Sequence, residues 1–500
     1  MNKELGNVTK QSGLVFMGKI VGLLIGLLFN IVAARFLGAE IYGEFMYIFT
    51  FISFFPILAL FGLQQGLVYF IPKYNETGKN EERNSIITFS FLLVFLFSSI
   101  IVLLIYCNSE YIAGKLLNNP DLNHLVKLMS PLLIFMALSQ LSQGVFRGTN
   151  KIKYYVTNQE LLAPLLKIFV LLVTLFIGGE YYSLPFAYYT GVIIGTIYLV
   201  IIIYKLRLFG KLSLLKLSKY KELFRFSLPL LFTGYLGLIS QKSDLLMIGY
   251  FLGEGQVGIY SIALKIGTLS SFILVAFNTM FAPTISSLYH KNDMNSLLNL
   301  YKVFTKWIVL VNLVAFSLIL IFSESIMKLF GESYIEGSLA LVLVSIGQVV
   351  NAGVGSAGYI IIMTGNSKQA MYINIISVVV NVSLNIMLIP EFGIEGAAFS
   401  SLVSVVIVNI LRLLLVYKNH NMHPYNFSYI KVLLAIVIAS TFIGLLNYWL
   451  NIYWLVQLTG LICLFLIIFS VIYYLLGLSK EDKMILNTLS KKLIRKEVIK

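Results

Sequence analysis

Ser240 to Gly258 reads SQKSDLLMIGYFLGEGQVG, and its last part, FLGEGQVG at Phe251 to Gly258, restates an earlier octet, FLGAEIYG at Phe36 to Gly43. The two copies stand 215 positions apart. An FLG-x4-G match is short by itself, but other pairs fall at nearly the same offset: Ser12 with Ser227, Ser109-Glu110 with Ser323-Glu324, and GTNK at Gly148 with GNSK at Gly365. The chain therefore reads as an internal duplication. Lys242 and Asp244 are carried by the second copy only, since the positions equivalent to them are Leu27 and Phe29.

The composition around this repeat is that of a membrane protein. Of 500 residues, 58% are hydrophobic and 12% charged, against about 45–50% and about 25% in soluble domains. Apolar runs of about 20 residues recur from end to end, each long enough as a helix to cross roughly 30 Å of hydrocarbon, and no long polar stretch separates them. The expected class is an all-α polytopic membrane protein without a soluble domain. Breaking the runs at polar or Gly/Pro punctuation yields about fourteen spans. Their approximate limits are 13–35, 42–71, 85–107, 124–146, 153–177, 181–204, 226–250, 257–289, 303–322, 338–363, 369–389, 395–417, 428–450 and 453–477. The first run exceeds the roughly 7–15 residues of a signal-peptide core and is read as a retained span. Cys107 and Cys463 lack metal-ligand spacing, which sets aside disulfides and zinc.

The formal charge of +15 fits basic residues retained on the cytoplasmic face better than a nucleic-acid partner. With both termini inside, the cytoplasmic segments collect Lys73, Lys79, Arg83, Arg147, Lys151, Lys153, the Lys205 to Arg225 cluster and the tail from Lys480, whereas the outer loops hold Lys115 and Lys328. The longest outer loops, around SEYIAGKLLNNPDLN and SESIMKLFGESYIEG, leave no room for a large external catalytic loop. The organisation expected is a six-helix lobe over 1–204, a basic linker over 205–225, a second six-helix lobe over 226–426, an extra helix pair over 427–478 and a basic tail over 479–500. An even number of spans per half gives both halves one orientation, related by a pseudo-two-fold axis along the membrane normal. Transporters built this way place their site between the halves near the midplane, so spans one, two, seven and eight should face a central space.

Ionisable side chains at bilayer depth cost roughly 2.5–3.5 kcal/mol each and by default face a cavity or a partner. Lys127, Lys306 and Arg412 lie close enough to predicted span ends to snorkel. Lys19 sits roughly 9 Å into span one, beside a small-residue face formed by Gly18, Gly22 and Gly26; snorkelling and a cavity role are both open to it. Lys265 and Lys242 are deeper and read as cavity residues, and Arg35 as a rim residue. Lys167 follows Glu160 by seven residues, close to two helical turns. It could pair with Glu160 or Asp244, or line a cavity. Lys19, Lys167, Lys242 and Lys265 against Glu160 and Asp244 leave a net +2, so the interior should prefer an anion.

Lys242 and Asp244 are separated by about 200° of helical rotation and cannot form a simple pair. Asp244 shares its face with Gln241, Ser240 and Gly237, and Lys242 with Leu238, Leu245 and Gly249. In span eleven, Asn374, Ser377, Asn381 and Asn385 recur at helical spacing. Such a stripe, with the Asp244 carboxylate, suits a small hard cation; equally, it can hold helices together by interhelical hydrogen bonds. No nucleophile-base-acid grouping or phosphate loop appears, and His124, His290, His420 and His423 lie near span ends. The protein is not expected to be an enzyme or to hold a metal or other cofactor.

The segments SDLLMIGYFLGEGQVGIYSIALKI (Ser243 to Ile266), ARFLGAEIYGEF (Ala34 to Phe45) and LIPEFGIEGAAFSSLVS (Leu388 to Ser404) resemble the polysaccharide (Wzx-type) flippases of the multidrug/oligosaccharidyl-lipid/polysaccharide exporter superfamily, and the order of motifs and hydropathy extends the resemblance over nearly the whole chain. It implies two lobes around a central cationic cavity, and alternating access that moves a polyprenyl-diphosphate-linked glycan from the cytoplasmic to the outer leaflet of the cell membrane. It implies that Lys19, Lys242 and Lys265 meet the diphosphate or acidic sugars of the substrate, and the charge census adds Lys167 and Arg35 as substrate contacts. From the related lipid II flippases it implies an ion-coupling site at Asp244, Asn381, Asn385 and Ser401, with Na+ and H+ as alternatives because Asn385 stands where a second acid can occur. The partners implied are the lipid-linked glycan, the bilayer and polysaccharide polymerase machinery, with the protein itself a monomer.

A multidrug exporter or a lipid II flippase of the same superfamily would share this layout, but an exporter of organic cations needs an acidic cavity. An O-antigen polymerase or ligase would need the large outer loop that is missing. A major-facilitator symporter would need a charged loop motif absent from PKYNETGKNEERN (Pro72 to Asn84).

Overall fold

The computed structural model describes residues 2–212, 217–426, 428–450 and 453–477. The predicted tail 479–500 and residues 213–216 of the predicted linker lie outside them. Helices follow one another without a strand among the described residues: α1 (Asn2–Ser53), α2 (Phe55–Leu60), α3 (Leu63–Glu76), α4 (Asn80–Cys107), α5 (Ser109–Tyr111), α6 (Asn123–Met129), α7 (Leu132–Gly148), α8 (Lys153–Thr157), α9 (Ala163–Phe176), α10 (Glu180–Lys205), α11 (Leu217–Leu252), α12 (Glu254–Gly267), α13 (Ser271–His290), α14 (Met294–Lys328), α15 (Ser338–Val354), α16 (Ala357–Met363), α17 (Ser367–His420), α18 (Ser428–Trp449) and α19 (Trp454–Leu475).

Among the described residues, ten helical segments are long and apolar enough to cross a membrane, or up to twelve if each of two bent pairs is one span. Two of the ten, Met17–Glu76 and Ser367–His420, have 60 and 54 residues. At 1.5 Å per residue these would run roughly 90 and 80 Å, far beyond the ~30 Å of one crossing. Each is interrupted by a glycine outside helical geometry: Gly38 (φ 75°, ψ 175°) and Gly393 (φ 61°, ψ −141°). Taken as two crossings apiece, they make the twelve compatible with the fourteen spans predicted. The protein is a multi-pass membrane protein.

The repeated octet is a helix break followed by a helix crossing. Its first glycine takes a left-handed conformation in both copies, Gly38 at φ 75° and Gly253 at φ 92°, where a side chain is unfavourable by about 1–2 kcal/mol. Its second glycine is a contact point. A Cβ on Gly43 would run into the Glu254 carbonyl, and one on Gly258 into the Ala39 carbonyl, 3.2 Å from the Gly43 Cα. The two copies therefore pack on each other, backbone against backbone, which only small residues permit.

Two compact units divide the chain: Met1–Ile262 with Leu329–Tyr334 and Val382–Ala397, and Ala263–Lys328 with Ile335–Asn381 and Ala398–Lys500. The repeat boundary falls elsewhere, because α11, the first span of the second repeat, belongs to the first unit. Close packing ties it there: Gly62, just ahead of α3, and Gly66 within it abut Ser227 of α11. The core of this unit joins Leu67, Phe70 and Ile71 of α3 to Leu141, Val145 and Phe146 of α7, with Ile86, Ile87, Leu199 and Ile203 around them. Gly144 and Gly148 let α7 press onto the α3 backbone at Gln64 and Leu67.

In the second unit, Phe281 and Ile285 of α13 pack with Leu297 and Tyr301 of α14, Ile360 and Ile361 of α16 and Val408 of α17. The Tyr301 hydroxyl donates to the Val354 carbonyl across 2.8 Å, so the one polar atom of this aromatic anchor is satisfied. Lys306 is only 2% exposed; it is enclosed by this bundle instead of snorkelling as its position near a span end suggested.

Candidate functional site

Asp244 lies on α11 before the Gly253 break, and Tyr260 on α12 after it. The break turns the chain so that the Tyr260 hydroxyl donates to Asp244 Oδ2 at 3.0 Å. Asn385 Nδ2 donates to Asp244 Oδ1 at 2.7 Å. The carboxylate is 3% exposed, so these charge-assisted bonds offset a desolvation penalty that water cannot. The positions equivalent to Asp244 and Tyr260 by the 215-residue offset are Phe29 and Phe45. Both meet the ring of Tyr188, with centroids 5.9 and 4.7 Å away. One pair of repeat positions is thus polar in the second copy and aromatic in the first.

The polar stripe on α17 is used residue by residue. In the second unit, Arg412 Nη2 donates to Asn374 Oδ1 (3.2 Å), Ser404 Oγ donates to the Ser377 carbonyl (3.0 Å), and Asn381 Nδ2 donates to Ser401 Oγ (3.2 Å). These bonds join the two arms of α17 on either side of Gly393. Asn385, in the first unit, is the member of the stripe that meets Asp244. Arg412, expected to snorkel, is engaged in this ladder.

Of the predicted substrate contacts, Lys19, Lys167, Lys242 and Arg35 belong to the first unit and Lys265, in the last turn of α12, to the second. Lys242 is half-buried on the face opposite Asp244. Further along that face, Gly249 receives the ring of Tyr47. Gly18 and Gly22 do form a packing face, against Val156 and Glu160, whereas a Cβ on Gly26 would meet nothing within 4 Å. The Glu160 carboxylate thereby sits at α1, within the electrostatic reach of Lys19. Arg35 is exposed and donates to the Leu329 carbonyl at 3.3 Å.

Lys167 does not pair with Glu160. Its ammonium lies 3.8 Å from the centroid of Tyr188, on a ring also packed by Phe49 at 4.8 Å. A cation over an aromatic face gains about 0.5–2 kcal/mol, less than the roughly 2.5–3.5 kcal/mol of placing the charge at bilayer depth. Lys167 makes no ion pair among the described residues.

Lys167 also lines a cavity of about 520 Å³ inside the first unit, walled by α1, α3, α7, α8, α9 and α10. Gln64, Gln140, Gln143 and Gln159 are among its lining residues, and the Gln64 amide donates to the Gln143 amide oxygen. A π-helical turn over Asn158–Leu162 between α8 and α9 widens the helix at this wall, as such turns often do at functional sites. Sequence reasoning overlooked these amides. Their signal is the run SQLSQ (Ser139 to Gln143) within an apolar span, together with LQQG at Leu63 and NQE at Asn158.

A helical multi-pass scaffold with internal glycine breaks, a buried carboxylate network and cationic interior side chains defines a membrane transporter fold. Comparison with known proteins agrees. The chain matches the family described as Polysaccharide biosynthesis protein over residues 8–289 and MatE over residues 229–387. It belongs to the polysaccharide biosynthesis protein family. Among curated proteins it is 28% identical to the probable low-salt glycan biosynthesis flippase Agl15 of Haloferax volcanii over 196 residues, 38% of this chain and 41% of that one. The match thus spans about two-fifths of that relative's length. Among solved structures it is similar to the lipid II flippase MurJ in an inward closed conformation (TM-score 0.70, 17% identity, covering 93% of this chain and 97% of that one). A multidrug resistance MATE family transporter of the MOP superfamily, inward-facing, has a TM-score of 0.66 at 15% identity, covering 81% and 98%. The fold is that of the MOP superfamily.

Proposed function

We propose that this protein is a flippase that moves a polyprenyl-diphosphate-linked oligosaccharide from the cytoplasmic to the outer leaflet of the cell membrane by alternating access, for surface polysaccharide synthesis. The observation that carries this reading is Lys167, a cation on a cavity wall with no ion pair among the described residues. A diphosphate and a hydroxyl-rich glycan cannot cross about 30 Å of hydrocarbon unaided. A protein that moves them must offer a wet, positive path while the lipid tail stays in the bilayer. Lys19, Lys242, Lys265, Lys167 and Arg35 are assigned to that path. The names of Agl15 and MurJ, both flippases, support the same reading, and an exporter of organic cations would want the opposite charge.

Ion coupling is assigned to Asp244, with Asn385 beside it and Asn381 and Ser401 as further polar groups. Asn385 presents its amide nitrogen to the carboxylate, an arrangement suited to an anionic Asp244. A sodium ion would require the amide to turn its oxygen inward, whereas a proton can be added without turning it. H+ and Na+ both stay assigned to this site as alternative coupling ions, and the amide orientation supports the H+ reading. The protein is placed as a monomer, both termini cytoplasmic, with polymerase machinery taking up its product. In cells, Lys242→Ala should abolish surface polysaccharide and leave the lipid-linked glycan on the inner leaflet. Normal export by a correctly folded Lys242→Ala protein would sink the cationic-path assignment.

A further inference from the structure

We propose that the amide-lined cavity of the first unit recognises an acidic sugar, a polyhydroxylated ring bearing a carboxylate, within the transported glycan; this deepens the flippase reading and rests on it. The cavity walls carry the chemistry of hydroxyl recognition. Each Gln side chain presents two N–H donors and a carbonyl acceptor, matching a sugar hydroxyl that both donates and accepts. A diphosphate only accepts and would be matched by donors alone, as in a wall of Arg and Lys. The side-chain amides of Gln140 and Gln159 make no hydrogen bond to protein among the described residues and are available to a ligand. Gln64 and Gln143 hold each other and form a fixed edge.

The charge of the occupant follows from Lys167. It lines the same cavity, rests on the Tyr188 ring at 3.8 Å and makes no ion pair among the described residues. One ammonium among neutral amides selects one carboxylate. The volume of about 520 Å³ lies within the roughly 300–1,000 Å³ of small-ligand sites, but those sites are mostly apolar. Here Phe49 and Tyr155 offer aromatic surface to a ring face while amides surround them, which disfavours an apolar drug.

The test is ligand binding to the purified full-length protein in detergent, read by calorimetry, with glucuronic acid, glucose and inorganic diphosphate as probes. Glucuronate should bind saturably and about tenfold tighter than glucose, the scale of one charge-assisted contact. Lys167→Gln should bring glucuronate down to the level of glucose, and Gln140→Leu should weaken both sugars. The wild-type probe series needs no variant to fold and by itself decides the matter. Absence of saturable sugar binding, or equal affinity for glucuronate and glucose, overturns the proposal. So does diphosphate binding that exceeds glucuronate and is lost in Lys167→Gln, which would give the lysine to the head group. Flipping of a carrier-linked glycan by the wild type is measured separately: flipping without glucuronate binding overturns this proposal alone, and binding without flipping overturns the flippase reading while the cavity's preference for an acidic sugar stands.

Discussion

Replacing Asn385 with leucine removes the Nδ2 donor to Asp244 Oδ1, a 2.7 Å bond, with little change in side-chain size. Asp244 is 3% exposed, so water cannot supply the missing bond. A hydrogen bond to a charged group contributes about 1.5–3 kcal/mol. Tyr260 still donates to the other oxygen at 3.0 Å, which holds the predicted loss to about 2–3 kcal/mol. In an Asp244→Leu background the same substitution removes a donor that no longer has this acceptor, and the loss should fall below about 1 kcal/mol. The cycle would be read from unfolding free energies in lipid or detergent, with an interaction of at least about 1 kcal/mol expected for directly bonded groups. Equal losses in both backgrounds would refute the bond and the network built on it.

Other consequences are as direct. Gly258→Val forces a branched side chain onto the Ala39 carbonyl and the Gly43 backbone; backbone cannot rotate away, so a loss of about 3 kcal/mol or more is expected in thermal unfolding. Gly26→Val, on the arm of α1 before the Gly38 break and with nothing within 4 Å of an added Cβ, should shift stability by less than about 0.5 kcal/mol. Gly253→Ala must place a Cβ at φ 92° and should cost about 1–2 kcal/mol. Asp293, ahead of α14, accepts from the Ser296 backbone N–H at 3.1 Å, and the Ser296 hydrogen bonds hold its carboxyl below its usual 3.8. A depressed folded value means that its stabilisation is complete above pH 3.8 and is lost as pH falls through the folded value. Amide exchange at the start of α14 should therefore accelerate in acid beyond its intrinsic rate, and Asp293→Ala should remove that dependence.

Much of the fold was legible because hydrocarbon imposes it. A chain with no water to satisfy its backbone must form helices of about 20 residues, and the hydropathy runs report them. The FLG-x4-G repeat was visible as letters, and the structure supplies its cause: a left-handed glycine, then a glycine at a helix crossing. Helical rotation alone separated Lys242 from Asp244. The partners of those charges were not legible. Tyr260 reaches Asp244 only because Gly253 breaks the helix between them, and Asn385 comes from 141 positions away. Spacing left Glu160, Asp244 and a cavity all open to Lys167; Glu160 faces α1 at Gly22, whereas Lys167 rests on Tyr188 and lines a cavity. The glutamines of the cavity stand on several helices, each a minor interruption of an apolar run, and only packing assembles them.

The central claim is transport of a lipid-linked glycan along a positive path. It is tested most directly in proteoliposomes holding the purified protein and a polyprenyl-diphosphate-linked oligosaccharide, by following how much of the glycan an impermeant oxidant reaches over time. The account predicts that the inner-leaflet fraction becomes accessible with the wild type, and that Lys242→Ala slows this at least about tenfold, the factor for about 1.4 kcal/mol. An inner-leaflet fraction that stays protected in the presence of active-folded wild-type protein would contradict it.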